Sequence, residues 1–191
     1  MASKVSICSN ALLMLGAQPI ASLNDGTDRA RLAANLYPAE RKAFMRSHNW
    51  GCLTVRVNLA PMAEAPSFGY SAQFQLPGDC LRLLDVGQEG ETLTYRVERK
   101  RVLHNGTVLP VRYIADLDEG EWDDAMVHAM EMRMAALFAY PITASASLAA
   151  DLAQKAKDAL REAKTTDGQE DDTQAIDDSP MLNSRYPGGG W

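Results

Sequence analysis

The stretch Trp50-Gly51-Cys52-Leu53-Thr54-Val55-Arg56-Val57-Asn58-Leu59 decides the fold, because the hydrophobic period changes inside it. Before it, apolar residues recur at helical spacing. From Leu53 onward they fall on every second residue, with Thr54, Arg56 and Asn58 between them, the pattern of a strand with one wet face. The chain therefore opens with helices and turns to strands at this point.

Upstream, Ser3 stands as an N-cap before the stripe Val5, Cys8, Leu12 and Leu15, and Gly16 falls where a left-handed residue ends a helix. Asn24-Asp25-Gly26 marks a turn. Thr27 caps a second helix reaching to about residue 47, with Leu32, Leu36, Tyr37 and Phe44 on its apolar face and Pro38 inside it. Downstream, Tyr70, Ala72, Phe74 and Leu76 alternate with Ser71, Gln73 and Gln75, and Pro77-Gly78-Asp79 breaks that strand. Further strands are expected over 81–86, 92–97, 102–103 and 108–114. Asn105-Gly106 reads as a two-residue hairpin turn between the last two, completing one small antiparallel sheet.

Helical character returns at Trp122. The run to Phe138 is apolar around most of its circumference, with Asp124, His128 and Glu131 on a narrow polar stripe. Such a helix belongs at the centre of a bundle or at a subunit interface. Tyr140-Pro141 is expected to end it, and Thr143 to cap a last helix with the stripe Ala149, Leu152, Ala156, Leu160 and Ala163. The expected class is α+β. Two N-terminal and two C-terminal helices (residues 1–50 and 117–164) form a four-helix bundle, residues 51–116 form an inserted antiparallel β region, and residues 165–191 form an extended acidic C-terminal arm.

The formal charge is -6, and residues 165–191 contribute -5 of it: six acids (Asp167, Glu170, Asp171, Asp172, Asp177, Asp178) against Arg185. The body keeps 19 acids and 18 bases, too even a balance for a protein that coats nucleic acid or lies on a membrane as a basic helix. No run is long and apolar enough to span a bilayer, and the N-terminus lacks the features of a signal peptide. Cys8, Cys52 and Cys80 are odd in number and widely spaced, which fits buried thiols in a reducing compartment. The arm lacks an apolar period that could offset its ordering entropy, yet it ends in Arg185-Tyr186-Pro187-Gly188-Gly189-Gly190-Trp191. Arg185, Tyr186, Pro187 and Trp191 are the candidate anchors of an arm that folds onto a partner.

No motif names an enzyme. The acidic run from Asp116 to Asp124 fails as a calcium loop: counted from Asp116, its glycine falls fifth and Val127 stands twelfth. It reads instead as an acidic approach to a helix N-terminus. His48, His104 and His128 sit in separate elements with no metal-ligand spacing, and no phosphate-binding glycine loop or nucleophile elbow occurs. No catalytic residue, metal or cofactor is expected. Met126, Met130 and Met134 are core gap-fillers first and candidates for an adaptable subunit interface second.

An ordered set of segments resembles one family, the head-to-tail adaptors called tail tubular protein A in short-tailed bacteriophages. It consists of Asn10-Ala-Leu-Leu-Met-Leu-Gly16 with Pro19-Ile20 and Leu23, then Leu36-Tyr37-Pro38-Ala-Glu-Arg41 leading to His48-Asn49-Trp50. Phe74-Gln-Leu-Pro77-Gly-Asp79-Cys80-Leu-Arg-Leu-Leu84 and Val111-Arg-Tyr113-Ile-Ala-Asp116 follow, with Trp122-Asp123, Pro141-Ile-Thr143 and an exit from Arg161 to Glu170. The resemblance implies a non-enzymatic virion protein of the neck, assembled in the host cytoplasm. It would form a homo-oligomeric ring, dodecameric in that family, between the portal protein and the tail nozzle protein. Genomic DNA would pass through its channel as cargo, and no membrane would be involved. The C-terminal arm would then dock on the portal. The alternatives are another head-completion or minor capsid protein, and a virion-associated polysaccharide hydrolase using carboxylates such as Glu119 and Asp123, which would have to sit about 5 Å apart across a cleft.

Overall fold

A computed structural model describes residues 1–88 and 91–170. Helix α1 (Lys4–Met14) starts at a reciprocal capping box: the Ser3 hydroxyl accepts from the Ser6 amide, and the Ser6 hydroxyl accepts from the Ser3 amide. It gives way to Gly16 at φ +71, a left-handed backbone that suits glycine. Helix α2 (Asp28–Met45) is capped by Thr27, carries Asp28 in its first turn and holds Pro38 inside. A 3-10 turn (Gly51–Leu53) leads into β1 (Thr54–Leu59), followed by β2 (Ala72–Gln75), β3 (Cys80–Val86), β4 (Tyr95–Glu98), β5 (Arg101–His104) and β6 (Leu109–Ala115). Helices α3 (Asp124–Thr143) and α4 (Ala146–Glu170) close the described chain, a mixed helix-and-sheet protein of the α+β class.

The strands form two three-stranded antiparallel sheets, β1-β6-β3 and β2-β5-β4, where one sheet was expected. The Asn105-Gly106 hairpin between β5 and β6 does not form. Each of those strands is the centre of its own sheet, so the chain changes sheets there, and the Asn105 side chain instead accepts from the Ser71 amide at 2.8 Å. The tight hairpin is β4–β5. Glu98 pairs with Arg101 across a two-residue loop whose members, Arg99 (φ 48) and Lys100 (φ 60), take the left-handed φ that a type I′ turn requires. Neither residue is a usual turn former, so composition hides this turn.

Two cores divide the interior. One lies among the helices and takes in Ile7, Cys8, Leu12, Tyr37, Phe44, Trp50, Met126, Met130, Met134 and Phe138, with Leu53 and Ile114 reaching into it from the sheet side. The other lies between the sheets around Phe74, Val102, Leu109, Val111 and Tyr113. β6 serves both: Leu109, Val111 and Tyr113 alternate toward the second core while Ile114 faces the helices. Each large side chain so buried stabilises the fold by about 1.5–3 kcal/mol. Helix α3 packs against α1, α2 and α4, which accounts for its nearly continuous apolar circumference.

Several boundaries differ from expectation. Pro141 lies inside α3 instead of ending it; the last turn closes with the Ala144 amide on the Tyr140 carbonyl at 2.9 Å and the Thr143 hydroxyl on the Ala139 carbonyl at 2.7 Å. Thr143 is thus the end of α3, and Ser145 caps α4 by accepting from the Leu148 amide. Gln73 is buried, its amide donating to the Glu64 carbonyl and its oxygen accepting from Arg101. Helix α4 runs to Glu170, six residues into the arm expected to start at 165. Its inner stripe continues one more turn through Asp167, a polar residue with partners of its own.

Candidate functional site

The densest set of ionisable side chains surrounds Arg41 on α2. Its Nε donates to Glu119 at 2.7 Å, its Nη1 pairs with Asp116, and its Nη2 donates to the Leu117 carbonyl. The guanidinium lies 5.7 Å from the centroid of the Trp122 ring, and the Tyr37 hydroxyl donates to the same Glu119 oxygen at 2.9 Å. Arg41 and Glu119 side chains are 13% and 10% exposed, so the pair is largely out of water. Burial works to lower the pKa of Arg41, but its bonds to Asp116 and Glu119 outweigh this and hold it above the ordinary value. Burial, and then the charge of Glu119, push the Cys8 thiol up to about 12 and raise the Tyr37 hydroxyl as well. A thiol held protonated is a poor nucleophile. The cluster fastens the segment between β6 and α3 to α2 by a permanent cation.

The acidic run therefore splits in two. Asp123 is the N-cap of α3, accepting from the Ala125 amide at 2.8 Å, and Asp124 lies in the first turn, as a helix-dipole role requires. Asp116 and Glu119 instead turn to Arg41. The carboxylates considered for hydrolysis, Glu119 and Asp123, are thus both engaged in holding the fold. Among the described residues no group of three metal-ligating side chains comes together. Glu131 accepts from Asn10 at 2.7 Å, and His104 Nδ1 is 3.0 Å from the Thr94 carbonyl.

Met126, Met130 and Met134 are each 0% exposed, consumed by the helical core of their own chain. The expectation of an interface there gives way to a core role, because α1, α2 and α4 already surround α3. Apolar groups left in water lie elsewhere: Leu13 and Met14 at the end of α1, Tyr95 and Val97 on β4, Tyr140 near the end of α3, and Met1, Phe68 and Val108 outside the helices and strands. All four residues of β4 are exposed, and β4 is an edge of its sheet. The other edge, β2, is partly covered, since Gln73 bonds to Met62 and Glu64. A strand pattern of alternating apolar residues foretells burial, and only the sheet order shows that Tyr95 and Val97 lack a covering layer. Beside β4 an open cleft of about 830 Å³ runs along β1, β3 and β6, with Arg112 bonded to Asp85 at 2.8 Å on its wall.

Just past the end of α2, Asp167 of α4 accepts from the Gly51 amide at 2.8 Å and lies 3.0 Å from His48 Nε2. Lys164 donates to the Ser47 carbonyl at 3.2 Å. The anchors expected in the arm, Arg185, Tyr186, Pro187 and Trp191, lie outside the described residues. No protein-family model matches the chain, and no curated protein matches it.

Proposed function

We propose that this chain is a structural virion protein, a head-to-tail adaptor that forms a ring beneath the portal and carries the DNA channel toward the tail nozzle. The observation that carries the reading is where the family-like residues fall. Tyr37, Arg41, Asp116 and Trp122 form one buried cluster, and His48 and Trp50 form the corner that receives α4. The residues behind the resemblance are thus the ones that join a helical body, built from both ends of the chain, to an inserted β region. That arrangement supports the adaptor bundle the resemblance implies.

Exposed Leu13, Met14, Tyr95, Val97 and Tyr140 supply the apolar surface that self-association in a ring would cover. The arm ending in Trp191 supplies a portal anchor whose modest affinity is multiplied when many copies bind one ring. No described helix is long and apolar enough to cross a membrane. The hydrolase reading draws no support, since Glu119 is tied to Arg41 and Tyr37. Co-sedimentation with purified portal rings tests the proposal. The full chain is expected to pellet with portal, and the chain lacking residues 184–191 to stay in the supernatant; equal pelleting of both would remove the arm from the account, and pelleting of neither would remove the portal.

A further inference from the structure

Basic side chains gather at one corner of an otherwise near-neutral body. Arg82 of β3 donates to the Arg46 carbonyl at 2.7 Å and to the Asn49 side chain, and Arg46 is the exposed C-cap of α2. Lys100, in the β4–β5 turn, is exposed while its carbonyl accepts from the Leu76 amide at 3.0 Å and the Gln75 side chain at 3.2 Å. Those bonds hold the turn against the approach to β3. Arg46 and Lys100 both act to lower the pKa of the thiol of Cys80, the first residue of β3, against the larger effects of burial and Asp79 that raise it. Exposed Arg99 extends the corner. Asp79 is the carboxylate that acts on the same thiol, and it faces the Tyr113 hydroxyl at 3.4 Å. Among the described residues, Arg46, Arg82, Arg99 and Lys100 form no ion pair.

The end of α4 arrives at this corner. Lys164 and Asp167 bind Ser47, His48 and Gly51, which bracket Asn49, the partner of Arg82. Three residues past Asp167, about 4.5 Å along the axis, the helix ends at Glu170. The chain then continues through residues 171–191 with Asp171, Asp172, Asp177 and Asp178 against Arg185, four acids minus one base, a net -3. At about 3.3–3.6 Å per extended residue, each residue beyond Glu170 adds at most that much reach.

We propose that this corner is the docking site for the acidic segment of the same chain, with Asp171, Asp172, Asp177 and Asp178 set in cis against Arg46, Arg82, Arg99 and Lys100. The docked segment neutralises the corner and keeps a polyanion such as DNA from settling on it. The inference rests on charge and chain path, independent of the adaptor reading.

Zero-length carbodiimide crosslinking of the full chain at low concentration, followed by peptide mapping of the monomer band, tests it. Lys100 is expected to be joined to one or more of the four aspartates. The yield should fall at least about threefold when salt near 0.5 M cuts the screening length to about 4 Å. It should fall similarly in the Arg46→Gln/Arg99→Gln variant, which alters exposed side chains only. Absence of the link, its confinement to higher-mass species, or a yield indifferent to both changes would overturn the proposal. The chain with all four aspartates changed to asparagine should also bind a labelled DNA duplex at least about threefold tighter at fixed salt; unchanged binding would overturn the masking role.

Discussion

The Asp167 carboxylate accepts a hydrogen bond from the Gly51 amide at 2.8 Å, across 116 residues of sequence, while its other oxygen meets His48 at 3.0 Å. One acidic side chain on α4 thereby satisfies the amide that opens the 3-10 turn before β1, at the junction where helices give way to strands. The Asp167 side chain is 12% exposed, whereas Gly51 itself lies open to water.

Asp167→Ala is expected to cost about 0.5–1.5 kcal/mol, the net worth of the hydrogen bond to the exposed Gly51 amide. Thermal unfolding should show a midpoint lower by about 2–4 °C for each kcal/mol. Asp167→Asn keeps an acceptor oxygen and should lose less. Equal midpoints for wild type and Asp167→Ala would show that the anchor contributes nothing.

Arg41→Met removes the cation from between Asp116 and Glu119; Asp116 keeps Lys42 at 3.9 Å, but Glu119 is left without a cation in a largely dry site. A loss of about 3–5 kcal/mol is expected in urea unfolding. Arg41→Lys should not restore it, because an ammonium cannot reach Glu119, Asp116 and the Leu117 carbonyl together while stacking on Trp122. Full stability in the lysine variant would reduce the site to a simple charge pair.

The Cys8 thiol, raised from 9.0 to about 12 chiefly by burial, sets the sign of an alkaline effect. Between those values the folded state holds a proton that the unfolded chain releases. The contribution is whole below pH 9 and is lost as pH rises toward 12. Tyr37, raised by burial and Glu119, acts in the same direction at higher pH. Unfolding midpoints should fall over this window, and less steeply in Cys8→Ala. A midpoint that rises with pH here would contradict the burial of Cys8.

Arg99 and Lys100 occupy left-handed backbone that costs a non-glycine residue roughly 1–2 kcal/mol. The double substitution Arg99→Asn/Lys100→Gly puts the favoured turn residues at these two positions. It should raise the melting midpoint by several degrees, about 2–4 °C per kcal/mol recovered. A lower midpoint would mean that the side chains of this turn hold the sheet in some other way.

Much of this fold was legible because periodicity reports directly on which face is dry. The switch from helical to alternating spacing at Leu53 marks the start of β1, and the stripe Leu152, Ala156, Leu160, Ala163 gives the inner face of α4. What stayed hidden depends on pairing at long range. Asn105-Gly106 carries a hairpin signal that the two-sheet topology overrides, while the real turn uses Arg99 and Lys100. Asp167 looks like the start of a polar arm until Gly51 and His48 are brought beside it. Met126, Met130 and Met134 could face a core or a partner by spacing alone, and the packing of three helices around α3 decides for the core. The basic corner was masked by a near-neutral total, since Arg46, Arg82 and Lys100 belong to separate elements.

The most direct test of the adaptor account is native mass spectrometry of the full chain mixed with purified portal rings, counting copies per ring. The account predicts a discrete complex holding one dodecamer of this chain on each portal ring. Free chain beside bare portal rings, or a broad scatter of occupancies without a closed count, would contradict it.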